Sequence, residues 1–350
     1  MKFTEIPYSR PDVPALLAAY DALTERVKNA SSAAEQLAAF EEHEALSESF
    51  STDVSYVYIR NTIDTTDPFY EAEQAFMDEN CPLYEEKLDA FYRALYHSPF
   101  RPELEEQLGS LLFEKIGISL KTFSPKNIAL SQEESALVTE YAKLLASAQI
   151  PFQGETLNLS QLRKYEESLD RAVRKEAYQK EAAFFKEHEA SFDRIFDRLV
   201  AVRTQMAQNL GYKNFVELGY YRMGRNGYDA NMVATYRQAV LNEILPTVQK
   251  LKAKQAARNG LDALMWYDDT CYYPQGNPKP DVAGDALLEQ GRRMYRDMGE
   301  RTGEFIDCMI DNQCFDAMAK KGKSGGGYCT TLPKYKLPFI FANFNGTSGD

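Results

Sequence analysis

Two short stretches near the end of the chain decide how its fold is interpreted: GGGYC (residues 325–329) and FIFANFNGTSGD (residues 339–350). Their aromatic and β-branched residues predict two strands, 328–332 and 339–344, that form a hairpin around the PKYKLP segment at 333–338. Ser348 and Asp350 are residue types that begin helices, and Gly346 and Gly349 loosen the backbone before them. The chain ends where these signals predict that a helix begins.

The rest of the chain is predicted to be mainly α-helical, with clear start and stop signals. Helices are expected after Pro11-Asp12, after Ser32 and from Asp67-Pro68, and the last of these should stop at Ser98-Pro99. These long antiparallel helices predict an N-terminal helical hairpin lobe over residues 1–115. Residues 116–350 are predicted to form the N-terminal part of a second, helical domain that ends in the hairpin.

Further patterns predict a hairpin and several helices after residue 149. Apolar residues alternate around a Gln-Gly-Glu turn at 153–155 and predict a small hairpin, after which Ser160 should begin a helix. Apolar residues spaced by three and four over 171–209, with His188 among them, predict one packed helix face. A later helix that starts near Asp229 should be kinked or interrupted at Pro246.

Composition narrows the possible partners. The 350 residues are 44% hydrophobic, which is ample for a large core, and 52 acidic against 40 basic residues give a net charge of -12. That charge disfavours nucleic acid and anionic membranes as partners. No signal-peptide pattern or membrane span is found, so the predicted compartment is the cytoplasm. Five cysteines without a CxxC motif predict reduced thiols in or near the core.

Several motifs together resemble one enzyme family. They are FSP (123–125), KNFVELGY (213–220), RMGR (222–225), GGYCT (326–330) and the block at 339–350. The chain resembles the oligoendopeptidase F family of zinc metallopeptidases, relatives of the thimet oligopeptidases. The resemblance implies a mainly α, zincin-like bundle of long helices with a small sheet near the C-terminal end of this chain. It also implies an endopeptidase that hydrolyses short peptides, with the N-terminal lobe helping to enclose the peptide channel.

One departure limits what the resemblance implies. The family's HExxH motif places two histidines one helical turn apart on zinc, with the Glu as general base. The three histidines here do not form it, because His43 has Ser47 four residues on, His188 has Phe192 there, and His97 is followed by Ser98. By resemblance, the zinc ligands and catalytic residues of the intact enzyme lie beyond Asp350. The chain as given is therefore predicted to lack catalytic and metal-binding residues and to be inactive alone, with the missing C-terminal half of the catalytic domain as its expected partner.

The second hairpin strand is the candidate substrate site. An exposed edge strand binds an extended peptide through main-chain hydrogen bonds and reads its backbone more than its side chains. The pattern alone equally allows a buried strand with packed aromatic residues. The resemblance favours substrate contact and implies the following substrate-binding residues: Gly327, Tyr328, Phe341, Ala342, Asn343, Phe344, Asn345 and Gly346.

Other readings of the sequence remain open. A non-catalytic helical peptide-binding protein is the main alternative, and a purely structural helical scaffold is the third. Gly322-Lys323-Ser324 resembles part of a P-loop, but the first glycine of that motif is replaced by Ala317, so a flexible loop is predicted instead. Asp268 and Asp269 are adjacent acids and are predicted to be solvated surface charge rather than an acid/base pair.

Overall fold

The structure, a computed structural model, describes residues 1–347 and 349, so the predicted helix-start residues Ser348 and Asp350 lie outside the described residues. Its α-helices are α1 (Val13–Asn29), α2 (Ala33–Ile63), α3 (Pro68–Tyr96), α4 (Arg101–Leu108), α5 (Ser110–Ser119), α6 (Ile128–Ala146), α7 (Leu159–Glu166), α8 (Arg171–Glu187), α9 (Glu189–Asn209), α10 (Phe215–Arg222), α11 (Ala230–Ala239), α12 (Leu245–Arg258), α13 (Asp285–Met298) and α14 (Glu300–Asp311). Its strands are β1 (Ile150–Phe152), β2 (Glu155–Leu157), β3 (Phe315–Met318), β4 (Tyr328–Leu332) and β5 (Leu337–Phe344). The predicted class, mainly α with a small sheet near the C-terminal end, is confirmed.

The first three helices begin where their capping residues predict. The side chains of Asp12, Ser32 and Asp67 accept hydrogen bonds from main-chain N–H groups in the first turns of α1, α2 and α3. These helices and α5 bury a shared aromatic core that includes Tyr20 and Phe91. The predicted start and stop signals of this region are thus confirmed.

His43 lies inside that first core and has a structural role. Its Nδ1 lies 2.9 Å from the Tyr20 hydroxyl and its Nε2 lies 3.1 Å from the Tyr92 hydroxyl. Burial lowers the pKa of His43 to about 4, so the ring is neutral at pH 7. Both ring nitrogens are used in packing contacts, and His43 is unavailable to the site described below.

Two predictions for the middle of the chain are wrong in detail. Asn158, rather than Ser160, begins α7, because its side chain accepts the Gln161 N–H while the Gln161 side chain bonds back to the Asn158 N–H. The helix predicted over 171–209 is broken at His188, between α8 and α9. His188 is half-buried, and its Nδ1 lies 3.0 Å from the Phe184 carbonyl oxygen.

Pro246 has the predicted effect on its helix. A π-helical turn, Val240–Ile244, separates α11 from α12, and Pro246 is the second residue of α12. Proline lacks the N–H that continues the α-helical pattern, and a π turn absorbs the lost hydrogen bond.

The five cysteines are all unpaired, but Cys308 and Cys329 are exposed rather than in or near the core. Within the described residues, no helix combines the length and apolar composition that a bilayer-spanning segment needs.

The C-terminal sheet corrects the edge-strand prediction. The predicted hairpin forms, because β4 pairs antiparallel with β5 from Tyr328 opposite Phe341 to Leu332 opposite Leu337. However, β3 pairs with the other side of β5 in parallel, so β5 is the central strand in the order β3-β5-β4. The sequence pattern around 315–318 did not indicate this third strand. Phe339 and Phe341 of β5 are buried against α2 residues such as Ile59.

Lys323 is buried rather than part of a flexible loop. Its Nζ donates hydrogen bonds to the carbonyl oxygens of Asp316 (2.9 Å), Met318 (2.9 Å) and Ala342 (2.5 Å), and it forms an ion pair with the Asp316 carboxylate. It also lies 4.5 Å from the centre of the Phe341 ring. Burial lowers the pKa of Lys323, and the Asp316 carboxylate opposes that shift. One ammonium group thus connects β3, β5 and the glycine-rich segment.

The prediction for Asp268 is also wrong, because this residue is fully buried instead of solvated. Arg171 binds both of its carboxylate oxygens, at 3.0 and 2.8 Å, and Arg174 donates a further bond at 2.9 Å. Burial by itself raises the pKa of Asp268, but hydrogen bonds from Arg171, the Met265 N–H and Arg174 outweigh it and hold the pKa at about 2. This ion pair fastens the segment after α12 to the start of α8.

We expect Asp268→Ala to lower the free energy of unfolding at pH 7 by about 3–5 kcal/mol, because it leaves the buried Arg174 guanidinium unpaired. The matched control is Asp269→Ala, which removes a mostly exposed carboxylate paired with Lys252 and should cost less than about 1 kcal/mol. Because the folded-state pKa of Asp268 is depressed, its contribution is present above the unfolded pKa of about 4 and is lost as the pH falls toward 2. Urea unfolding at pH 7 and pH 3 measures both effects, and equal losses for the two variants would contradict the buried ion pair.

Candidate functional site

The end of β5 forms one wall of a cleft. The cleft has a volume of about 810 Å³ and lies between the glycine-rich loop with β5 on one side and α7 with α8 on the other. Five of the eight predicted substrate residues line it: Gly327, Ala342, Asn343, Phe344 and Asn345. The structure therefore brings most of the predicted residues to one open cavity.

The other three predicted residues have different surroundings. The Phe341 ring is buried, with 1% of the residue exposed, and stacks on the Tyr328 ring with centroids 4.8 Å apart and an angle of 6° between planes. The Tyr328 hydroxyl lies 2.6 Å from the Thr62 hydroxyl, which ties β4 to α2. Gly346 has a φ of 84°, a left-handed conformation that favours glycine, and is absent from the cleft lining. The Phe341 side chain thus belongs to the core, and its main chain is paired with Tyr328 of β4.

Asn343 and Gly327 fix the glycine-rich loop against β5. The Asn343 side-chain amide donates to the carbonyl oxygens of Ser324 (2.9 Å) and Gly326 (2.8 Å). A Cβ atom at Gly327 would lie 3.1 Å from the Phe341 carbonyl oxygen, which is tighter than an ordinary contact. At the other end, the Asn345 side-chain amide donates to the Ser160 carbonyl oxygen at 2.8 Å and joins β5 to α7.

The opposite wall is charged and was not predicted from the sequence. Arg163 and Glu166 of α7 and Tyr178 and Glu181 of α8 line it. Glu166 is buried, with 6% of the residue exposed, and its Oε1 atom has no hydrogen-bond partner. Burial, and next the nearby Glu181 carboxylate, raise the pKa of Glu166 to about 7. Single glutamates on two charge-rich helices carry no sequence signal, and their meeting depends on how α7 and α8 pack.

A second cavity adjoins the first. It has a volume of about 480 Å³ and extends toward Thr62 of α2 and Ala142 of α6. The two cavities share Ser160, Arg163, Glu181 and Gly326 in their walls. Together they form a path along the glycine-rich loop from the end of β5 to the N-terminal helices.

The described residues do not fit a zinc ion. Over 1–347 and 349, no group of three or more His, Cys, Asp or Glu side chains is placed to hold a metal. His43 is committed to the first core, His97 ends α3, and His188 lies at the break between α8 and α9. No hydrolytic step is therefore assigned to residues 1–347 and 349.

Comparisons with known proteins show that the chain is similar to peptidases. Residues 3–123 match the Peptidase M3 N-terminal domain. The chain is 46% identical to PZ peptidase A, solved with an inhibitor, with a TM-score of 0.98 over 99% of this chain. It is 44% identical, again with a TM-score of 0.98, to a protein described as oligoendopeptidase F from Bacillus anthracis strain Ames. In both fold and sequence, the chain is thus similar to these peptidases.

A curated protein that is similar in sequence is also a peptidase. The chain is 24% identical over 306 residues to group B oligopeptidase PepB of Streptococcus agalactiae serotype III, strain NEM316. Together these matches confirm the predicted resemblance of the chain to the oligoendopeptidase F family. The chain spans 48% of the length of the curated relative and 62% and 64% of the lengths of the two solved structures.

We expect Glu166→Gln to stabilise the protein at pH 8 and to change little at pH 5. The raised folded-state pKa means that the neutral carboxyl stabilises the fold below the unfolded pKa of about 4.5, and this contribution is lost as the pH rises through about 7. At pH 8 the variant avoids a buried charge, which is worth about 1–2 kcal/mol because water in the open cleft screens part of the shift. Thermal unfolding of both proteins at the two pH values measures this.

The matched control for that experiment is Glu176→Gln, which alters an exposed glutamate on the same helix as Glu181. Its Tm difference from the unaltered protein should be the same at pH 5 and pH 8. A Glu166→Gln difference that is also independent of pH would contradict the description of Glu166 as a buried, unpaired carboxyl.

Proposed function

We propose that this chain provides the peptide-binding part of a zinc-dependent oligoendopeptidase that hydrolyses short peptides. The observation that carries the proposal is the cleft at the end of β5, lined by five residues that the family resemblance marks for substrate contact. The relatives named above are described as oligopeptidases or oligoendopeptidases. The family resemblance and the position of the cleft together favour a peptide as the ligand.

The end of β5 offers main-chain groups to such a peptide. The Ile340 N–H donates to Cys314, and the Phe344 carbonyl accepts from Ala319, so both residues direct their main chain toward the β3 side. Because main-chain direction alternates along a strand, Asn343 directs its N–H and C=O toward the β4 side. Pairing with β4 stops at Phe341. The strand thus has a short local edge past its partner, although it is central over most of its length.

Three residues determine the surroundings of this local edge. Lys323 fixes the Ala342 carbonyl, Asn343 holds the glycine-rich loop through its side chain, and the absence of a side chain at Gly327 leaves room beside the main chain. A peptide added there as an extended strand would be bound mainly through its backbone, which suits an enzyme that accepts many sequences. We assign these residues to substrate binding and positioning.

The remaining parts of the proposal rest on the family resemblance. Zinc supplies a bound water of lowered pKa and a Lewis acid in peptidases of this kind. We place the zinc ligands outside the described residues, in the C-terminal half that the resemblance implies as a partner. We also propose residues 1–115 as a lobe that helps enclose the peptide, residues 116–350 as part of the catalytic domain, and a cytoplasmic location.

We expect Gly327→Ala to weaken the binding of short peptides about tenfold, because the added methyl group must displace the Phe341 main chain at the local edge. The matched control is Gly325→Ala in the same loop, where a Cβ meets no atom within 4 Å and affinity should be unchanged. Isothermal titration calorimetry with short unlabelled peptides measures affinity, and thermal unfolding verifies that both variants fold. Equal affinities for the two variants would contradict the role of the β5 edge.

A second experiment separates binding from hydrolysis. The same peptides, incubated with this chain and added zinc, should remain intact in mass spectra because the described residues supply no zinc ligand set. Cleavage would show that the assignment of binding without catalysis is wrong. Failure of every tested peptide to bind would contradict the proposed function itself and favour a structural scaffold.

A further inference from the structure

The Glu166 carboxylate lacks the partners that buried charges ordinarily have. Its Oε1 atom is shielded from solvent and makes no hydrogen bond. Within the part of the chain that the structure describes, no lysine, arginine or histidine nitrogen lies within 4.0 Å of either carboxylate oxygen. A buried carboxylate without a partner is costly, and such groups in native proteins are commonly explained by a function or by a ligand. The cleft is the place where a ligand can reach it.

The surroundings of Glu166 select for positive charge. Glu167 and Glu181 line the same cleft, and Arg163 is the one cation of that wall among the described residues. The charge of Arg163 lowers the pKa of Glu166, but burial and the Glu181 charge outweigh it, and the Glu166 Oε1 atom still has no hydrogen-bond partner. The half-buried Tyr178 provides a hydroxyl and an aromatic ring beside the two glutamates. A carboxylate pair with a tyrosine suits an ammonium group, which donates three hydrogen bonds.

We propose that Glu166 and Glu181 form a subsite for the ammonium group of a peptide held in the cleft. This inference rests on the proposed function, since the peptide backbone lies along the end of β5 on the facing wall. The ammonium group is either the amino terminus of the peptide or a lysine side chain. In both cases it supplies the missing hydrogen bonds to Glu166 and compensates its buried charge.

Three matched peptides test the subsite at pH 7.5. The first is a short alanine and norleucine peptide with an acetylated amino terminus and an amidated carboxyl terminus, so that it carries no charge. The second has a free amino terminus, and the third is acetylated but has lysine in place of one norleucine, a side chain of similar length. We expect at least one charged peptide to bind about tenfold more tightly than the neutral one, and the one that does identifies the source of the ammonium group.

Two variants and a control locate the effect. Glu166→Gln should remove the preference for the charged peptide over the neutral one, and Glu181→Gln should reduce that preference. The exposed Glu176→Gln control should retain it in full. If the neutral peptide binds but no charged peptide binds more tightly, the subsite is overturned and the proposed function stands. If Glu166→Gln retains the preference, the subsite is likewise overturned.

A second measurement does not depend on peptide binding. n-Butylammonium chloride should raise the Tm of the unaltered protein at pH 8 above its value in equimolar sodium chloride, and it should not do so for Glu166→Gln. This result without any peptide binding would support the cation subsite and contradict the proposed function. Absence of the shift together with absence of peptide binding would overturn both. An equal shift with calcium chloride at matched ionic strength would overturn the selection of an organic ammonium group.

Discussion

The C-terminal sheet depends on the interactions of the buried Lys323 ammonium group. It joins β3, through the carbonyl oxygens of Asp316 and Met318, to β5, through that of Ala342. Burying a lone ammonium costs several kcal/mol, and the Asp316 carboxylate with these carbonyl oxygens offsets that cost. Because the acceptors come from two strands, the ammonium is satisfied only when β3 lies beside β5. The arrangement therefore fits β5 as the central strand, whose end forms one wall of the cleft.

Local signals in the sequence predicted the starts of α1, α2 and α3 and the C-terminal hairpin correctly. Asp12, Ser32 and Asp67 act as caps because each needs only the next few residues of its own helix. The burial of Lys323 could not be predicted in the same way, since its partners lie up to 19 residues away on two strands. β3 was missed for a related reason, because a four-residue strand with a parallel neighbour has little pattern of its own.

The candidate site was likewise predicted only in part from the sequence. The candidate substrate residues in and near β5 were found through motifs of the resembling family, and five of the eight line one cleft. The facing glutamates were not found, because Glu166 and Glu181 become neighbours only after α7 packs on α8. The edge-strand prediction was wrong for most of β5, since β3 covers the side that the hairpin leaves open. What remains of the predicted edge is the short segment after Phe341.

Two buried carboxylates in this protein show how the neighbouring charged groups distinguish a structural carboxylate from one that is available to a ligand. Asp268 meets two arginines, and its pKa is held at about 2. Glu166 meets another carboxylate instead, and its pKa is raised to about 7. The first carboxylate is charged at neutral pH and closes a contact within the chain, so it has no capacity for a ligand. The second is near its titration midpoint and faces a cleft, so a cation that enters the cleft gains both hydrogen bonds and a fully charged partner. Unsatisfied charge at the cleft wall, rather than the number of acidic residues there, therefore distinguishes the candidate subsite from the rest of an acidic surface.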